Sequence, residues 1–242
     1  MNLLLLSNST QYGRGYLEHA LDTVTAFLPA RARLAFVPYA LADHDGYTAK
    51  VRAALTGAGI EVHGVHEGGA PLDRLAEADA VFVGGGNSFR LLSALYRTGL
   101  REALVKAVGD GLPYMGASAG TNMAAPSLRT TNDMPIVQPP SFEALGLVPF
   151  QINPHYLDPD PHSTHKGETR EERLTEFLEE NDVPVLGLRE GSWLRVTGAH
   201  ASVEGAHAAR LFRRGAEPRE LPAGSDVSEL LTVTPEYDTP AR

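Results

Sequence analysis

The sequence has no cysteine among its 242 residues. Disulfides, thiolate metal sites and a cysteine nucleophile are therefore excluded. It also lacks an apolar run long enough to span a bilayer. The apolar start, Met1–Ser7, has no basic segment before it, so we interpret it as a buried strand and not as a signal peptide. These features favour a cytoplasmic protein.

Positive charge is scarce, because 21 basic residues face 30 acidic ones and the net charge is -9. Nucleic acids and anionic membranes need a basic face, so neither is expected as a partner. The chain length and the absence of a clear linker predict a single α/β domain over residues 1–242. The tail from about residue 213 is rich in Pro, Glu and Thr, and we expect it to be partly irregular.

Apolar runs alternate with helical patterns through the first two-thirds of the chain. This alternation predicts an α/β fold with a mostly parallel central sheet and helices on both faces. The predicted strands are Asn2–Leu6, Leu34–Pro38, Ile60–Val65, Ala78–Val83, a strand leading to Ser118, Leu147–Asn153 and Val183–Leu188. The predicted helices are Tyr16–Leu28, Tyr47–Leu55, Leu72–Ala76, Ser88–Tyr96, Leu100–Val108 and Glu168–Glu180. A small C-terminal antiparallel set is expected from Trp193–Val196, Ala201–Glu204 and Ala208–Phe212.

Ser118 lies in the pattern Gly116-Ala-Ser-Ala-Gly120. This G-x-S-x-G pattern is typical of a nucleophile elbow, where a serine occupies a sharp strand-to-helix turn. Small neighbours leave room for the turn and for a substrate approaching Oγ. The same pattern also suits an ordinary tight corner, so partners are needed to support a catalytic interpretation.

A second turn, Gly84-Gly-Gly-Asn87, follows another predicted strand. In an open parallel sheet, sites form at the carboxyl ends of the strands, which brings this turn close to Ser118. The turn has Phe89 where a dinucleotide turn has its third glycine, and it lacks the Lys-Ser/Thr of a P-loop. We therefore expect an oxyanion hole built from the backbone N–H groups of Gly85 or Gly86 and Ala119.

A serine nucleophile requires a base, usually a histidine oriented by an acid. Of the 9 histidines, His155 combines a predicted strand end with a rigid Pro154 before it. His162 and His165 are runners-up in the following loop. The three together could suggest a metal site, but no suitable carboxylate spacing accompanies them, so no metal is expected.

Two acids could orient His155. Asp133 lies in the irregular segment after the elbow, where a turn or capping role is the alternative. Glu190 follows a predicted buried strand, and it could equally be a hairpin-corner residue. The residues alone leave both candidates open.

Nearly the whole chain resembles the peptidase E family, the α-aspartyl dipeptidases. The stretches that carry this resemblance are Leu3–Thr10, Val83–Phe89, Gly116–Asn122, Arg129–Val137, Gln151–His155 and His165–Arg170. The resemblance implies a glutaminase-like α/β sandwich, usually homodimeric. It also implies hydrolysis of dipeptides with an N-terminal aspartate by a serine mechanism that needs no metal or other cofactor.

By this resemblance, Ser118 is the nucleophile and His155 the general base. The third member falls on Asp133 or Glu190, and we place Asp133 first. Arg170 is the first candidate to bind the aspartyl carboxylate, because a guanidinium can bind a carboxylate through two hydrogen bonds.

Arg129 and Lys166 are alternatives to Arg170, and Asn87 is a further candidate for substrate contact. Arg170 could instead pair with glutamates on its own helix. Two other functions stay open: a serine esterase or peptidase of another specificity, and a non-catalytic protein that binds a small molecule.

Overall fold

The computed structural model describes residues 1–160, 162, 164 and 166–239. The strands are β1 (Asn2–Leu6), β2 (Arg33–Val37), β3 (Glu61–Gly64), β4 (Ala80–Val83), β5 (Tyr114–Ala117), β6 (Gln151–Pro154), β7 (Val185–Leu188), β8 (Ser192–Thr197), β9 (His200–Gly205), β10 (Ala209–Phe212) and β11 (Arg219–Leu221). The α-helices are α1 (Leu21–Phe27), α2 (His44–Leu55), α3 (Pro71–Ala76), α4 (Ser88–Thr98), α5 (Leu100–Gly109), α6 (Ala119–Asn122) and α7 (Arg170–Glu180).

The larger sheet has seven strands in the order β3-β2-β4-β5-β1-β8-β9. The five strands from β3 to β1 are parallel, while β8 and β9 are antiparallel to their neighbours. The predicted α/β class with a mostly parallel central sheet is confirmed. Strand β1 lies inside the sheet because its leucines are apolar on both faces, as a strand covered on both sides requires.

Alternate leucines of β1 enter two separate cores. Leu3 and Leu5 pack with helices α3, α4 and α5, whereas Leu4 and Leu6 pack with α1 and α2. All four leucines are fully buried. The sheet is therefore covered by helices on both faces, as the sequence predicted.

A second sheet has four strands in the order β11-β10-β7-β6. Its apolar side chains Ile152, Leu186 and Leu211 join the same core as Leu3 and Leu5. Helix α7 covers its other side through Leu174 and Leu178. The second sheet thus packs across one face of the first.

This arrangement corrects one predicted strand and shows where the C-terminal strands lie. The strand predicted at Leu147–Asn153 starts only at Gln151, and it belongs to the second sheet, where β6 pairs in parallel with β7. The C-terminal strands are antiparallel, as predicted, and they are divided between the two sheets: β8 and β9 extend the large sheet, while β10 pairs with β7. The physical reason is that β8 satisfies the free hydrogen-bonding edge of β1, which would otherwise be left unpaired.

The helix predicted at Tyr16–Leu28 is shorter than expected. Leu17 adopts a left-handed backbone (φ 60°), and a 3₁₀ turn, Glu18–Ala20, precedes α1. The tail after residue 213 carries β11 and a 3₁₀ helix, Ser228–Thr232, between irregular stretches.

Candidate active site

Ser118 lies at the junction of β5 and α6. Its backbone has φ 53° and ψ -113°, a conformation that costs free energy for any residue with a side chain. Gly116 and Gly120 make this turn possible: a Cβ on Gly116 would lie 2.6 Å from the carbonyl oxygen of Gly120, and one on Gly120 would collide with the carbonyl of Val83. The sharp turn presents Oγ of Ser118 at the end of the large sheet.

His155 follows the last residue of β6 and comes from the second sheet. Its backbone is also left-handed, with φ 53°. Its Nε2 lies 2.9 Å from Oγ of Ser118. The packing of one sheet on the other therefore brings these two residues together.

Glu190 lies in the short turn that leads from β7 in the second sheet to β8 in the large sheet. Its Oε1 is 2.7 Å from Nδ1 of His155. A carboxylate can only accept a hydrogen bond, so this contact assigns the proton to Nδ1 and leaves Nε2 free to accept the hydroxyl proton of Ser118. The three side chains form a continuous hydrogen-bond chain suited to activating a serine nucleophile.

Asp133 does not make the contact expected of it. Its Oδ2 accepts hydrogen bonds from the N–H of Ser88 at 2.7 Å and from the hydroxyl of Thr131 at 3.2 Å. The hydrogen bonds of the His155 ring go to Ser118 and Glu190. The preference for Asp133 is corrected on this geometry, because the β7–β8 crossover carries Glu190 to His155.

The glycine turn lies directly against Ser118. A Cβ on Gly85 would lie 3.0 Å from Cβ of Ser118. The N–H of Gly85, however, donates to Oη of Tyr47 at 2.8 Å in a buried hydrogen bond, so this amide is already occupied. In the described part of the chain, the N–H groups of Gly86 and Ala119 have no protein acceptor, which leaves them as the available donors.

A cavity of about 340 Å³ opens at Ser118. It is lined by Ser88, Ser118, Ala119, Thr131, Asn132, Asp133, Pro154, His155 and Arg170. Within the described residues, the guanidinium of Arg170 has neither an ion-pair nor a hydrogen-bond partner. Burial, with a smaller contribution from Arg173, lowers the pKa of Arg170, and Asp133 partly opposes the shift. The cavity thus contains an uncommitted positive charge.

Two other proposed substrate contacts are engaged elsewhere. Arg129 forms a two-point ion pair with Asp238 at 2.7 and 3.0 Å and lies outside this cavity. Asn87 caps α4 by accepting the N–H of Arg90, and its amide donates to the carbonyl of Met134. Lys166 is exposed and does not line the cavity.

Sequence reasoning missed Thr131 and Asn132, which line the cavity beside Asp133. Asn132 donates to the carbonyl of Pro154 at 2.8 Å and accepts from Asn153 at 2.9 Å, which fixes this wall against the end of β6. The polar run Thr130–Asp133 directly after the elbow was the available signal. Ser88, another wall residue, carried no signal beyond its place after the glycine turn.

His162, a runner-up for the base, does not line the cavity. His162 is exposed, and its N–H donates to Asp160. His165 lies outside the described residues. Among the residues that the structure does describe, no group of three or more His, Asp or Glu side chains is arranged to hold a metal ion. In the same part of the chain, no helix is both long and apolar enough to cross a membrane.

Comparison with known proteins shows what the chain is similar to. A family model described as "Peptidase family S51" matches residues 3–204. A "Peptidase E" of Streptomyces coelicolor is 84% identical over the full length of both chains. A "Probable alpha-aspartyl dipeptidase" of Drosophila melanogaster is 53% identical over 95% of this chain and 97% of the relative. The crystal structure of a peptidase from an acI-B1 Actinobacterium shares the fold, with a TM-score of 0.67 at 16% identity over 93% and 96% of the two chains.

Proposed function

The chain belongs to peptidase family S51, and from that premise we propose that it is a serine-type dipeptidase that cleaves dipeptides after an N-terminal aspartate. The observation that carries the proposal is the hydrogen-bond chain from Ser118 through His155 to Glu190. In this proposal Ser118 is the nucleophile, His155 the general base and Glu190 the acid that orients the base.

The reaction proceeds in two halves. His155 takes the proton of Ser118 as Oγ attacks the carbonyl carbon of the aspartyl residue. When the tetrahedral intermediate collapses, the C–N bond breaks and His155 returns the proton to the leaving amine. Water then attacks the acyl-enzyme with His155 again acting as base, which releases aspartate and restores Ser118.

The N–H groups of Gly86 and Ala119 are the proposed donors to the oxyanion. Each lies on a turn that meets Ser118, and neither has another acceptor in the described part of the chain. One such donor typically lowers the barrier by about 3–4 kcal/mol. The N–H of Gly85 is already bonded to Tyr47, so we do not assign it as a donor to the oxyanion. Gly85 contributes instead by packing closely against Ser118.

Arg170 is the proposed partner of the aspartyl side chain. It lines the cavity next to Ser118 and has no protein carboxylate bound to it within the described residues. Among the described residues that line this cavity, Asp133 is the only acidic one, so we assign it to the free ammonium group of the dipeptide. A positive and a negative side chain together match the two charged groups of an N-terminal aspartate.

The test is a comparison of Asp-Leu, Glu-Leu, Ala-Leu and a p-nitrophenyl ester as substrates of the purified protein. We expect kcat/KM to be highest for Asp-Leu. Ser118→Ala should lower the turnover of Asp-Leu by about 10⁴-fold or more, because removing a member of such a triad abolishes most of the catalysis. No turnover of Asp-Leu by the unmodified protein would contradict the proposal, and a preference for the ester would favour an esterase.

The resemblance to the peptidase E family also supports a cytoplasmic enzyme that works as a homodimer. Size-exclusion chromatography with light scattering measures its mass directly. A mass of about 26 kDa, equal to that of one 25.9 kDa chain, would contradict the dimer and leave the hydrolase proposal intact.

A further inference from the structure

The residues at the end of β1 contact all three segments that carry the proposed triad. Leu6, Ser7 and Asn8 are buried at this point, although Ser7 and Asn8 are polar. None of the three lines the cavity. Their contacts therefore hold the backbone around the triad and are not contacts with the substrate.

The first contact is to the nucleophile. The carbonyl of Leu6 accepts the N–H of Ser118 at 3.1 Å and the hydroxyl of Thr121 at 2.6 Å. The last contact is to the turn that carries the acid. Oδ1 of Asn8 accepts the N–H of Gly191, the residue after Glu190, at 2.8 Å.

Ser7, between them, connects the two sheets. Its Oγ accepts the N–H of His155 at 2.9 Å and donates to the carbonyl of Leu188 at 2.8 Å. An N–H can only donate and a carbonyl can only accept, so the direction of both hydrogen bonds is fixed. The N–H of Ser7 donates to the carbonyl of Ser192 at 3.0 Å. The hydroxyl of Ser7 thus joins the end of β1 to the ends of both β6 and β7.

His155 needs such a support. Its left-handed backbone is costly for a residue with a side chain and persists only where neighbouring contacts hold it. It also belongs to a different sheet from Ser118, so a small shift between the sheets would lengthen the contact between Nε2 and Oγ. The N–H of the next residue, Tyr156, donates to the carbonyl of Leu188, which Ser7 also contacts.

We propose that Ser7 is a positioning residue, whose buried hydroxyl holds His155 in register with Ser118 and Glu190. The inference rests on the proposed serine mechanism, since it assigns Ser7 to the support of that triad. Without the hydroxyl, His155 loses the acceptor of its N–H and the backbone can relax from the left-handed conformation. The imidazole then spends less time at hydrogen-bond distance from Oγ.

The test is Ser7→Ala, with Ser127→Ala as a matched control. Ser127 is also buried, and its hydroxyl accepts a backbone N–H from Arg129, but it does not line the cavity. We expect Ser7→Ala to lower kcat for Asp-Leu by about 10- to 100-fold with KM changed by less than about twofold, as misplacement of a catalytic group does. Ser127→Ala should keep the kcat of the unmodified protein.

A second readout does not depend on substrate. The proton between Nδ1 of His155 and Glu190 should give a low-field resonance in the proton NMR spectrum, assigned by its loss in Glu190→Gln. We expect this resonance to broaden or shift in Ser7→Ala and to be unchanged in Ser127→Ala. Because it needs no turnover, it tests Ser7 even if Asp-Leu proves not to be a substrate.

The proposal is overturned if folded Ser7→Ala keeps both its kcat and its resonance. It is equally overturned if kcat falls by the same factor in Ser7→Ala and in Ser127→Ala, since that would show only a general loss of stability. Should Ser7→Ala not fold, Ser7→Cys replaces it, because a thiol is a weak acceptor of similar shape. Folded Ser7→Cys with unchanged kcat and an unchanged resonance would overturn the proposal as well.

Discussion

Glu190 and Asp133 are two carboxylates with different partners at one site. Glu190 bonds to His155, and Asp133 bonds to the backbone of Ser88. We expect Glu190→Gln to lower kcat by about 10² to 10⁴-fold, because an amide no longer fixes the tautomer that leaves Nε2 free. Asp133→Asn should mainly raise KM, because it weakens the binding of the substrate ammonium group. Steady-state kinetics with Asp-Leu measures both, and a greater loss of kcat in Asp133→Asn would reverse the assignment.

Arg170 is the candidate for recognition of the substrate side chain. Loss of a hydrogen-bonded charge pair in a desolvated cavity costs about 1.5–3 kcal/mol, so Arg170→Ala should lower kcat/KM for Asp-Leu by about 10- to 100-fold. The loss for Ala-Leu should be much smaller. Arg129→Ala is the control, because Arg129 is paired with Asp238 outside the cavity. An equal loss for both substrates would argue against recognition by Arg170.

The side chains proposed for catalysis are the ones that the sequence marks most clearly. Ser118 and His155 stand out because a motif and a strand end mark them. Ser7 carries no such mark, since its proposed role depends on its contact with His155, which lies 148 positions away in sequence. The contacts of Arg129 with Asp238 and of Asn87 with Met134 are equally unmarked in the sequence, because these partners lie in distant segments.

The strand–turn–helix unit around Ser118 depends on the absence of side chains at two positions. Gly116→Ala places a Cβ 2.6 Å from the carbonyl oxygen of Gly120, so we expect a loss of about 1–3 kcal/mol or more in the free energy of unfolding. Gly109→Ala is the control: it lies in α5, and no atom lies within 4 Å of the added Cβ. It should raise the free energy of unfolding by up to about 1 kcal/mol. Urea unfolding measures both, and equal effects would contradict the packing argument.

Strands and helices were predicted well where periodicity determines them, and less well where pairing between distant segments does. The strand Asn2–Leu6 is apolar at four successive positions, Leu3–Leu6, so its place inside a sheet follows from its composition. Nothing local distinguishes β6 from a strand of the large sheet. Its assignment to the second sheet depends on β7, which lies about thirty residues later in the chain.

A network of ion pairs joins the second sheet to α7 and to the segment after His155. Arg189 binds both Asp158 and Glu220, and Arg210 binds Glu220 and Glu171. Hydrogen bonds from Arg189 are the main cause that lowers the pKa of both Asp158 and Glu220. The network therefore stabilises the protein most when these carboxylates are ionised.

Stability should consequently depend on pH in the acid range. A lowered folded-state pKa means that the stabilisation is complete above the unfolded-state pKa, near pH 4, and is lost as pH falls through the folded-state value. The carboxylates are about half exposed, so each ion pair contributes only about 0.2–1 kcal/mol to the free energy of unfolding. We expect the difference in urea midpoint between the unmodified protein and Arg189→Met to shrink between pH 6 and pH 3. A difference that stays constant would show that lost packing, and not charge, explains the effect.

The central place of β1 has a consequence for how the protein is made. Leu3 pairs with Tyr114 on one side and with Val196 on the other, so both neighbours of β1 are synthesised long after β1 itself. Such distant pairing slows folding, because chain entropy is lost before contacts compensate for it. Until β8 leaves the ribosome, four consecutive leucines remain without one of their two neighbouring strands, and this interval is the period of greatest exposure to aggregation. The proposed catalytic residues Ser118, His155 and Glu190 therefore come together only after both β7 and β8 have been synthesised.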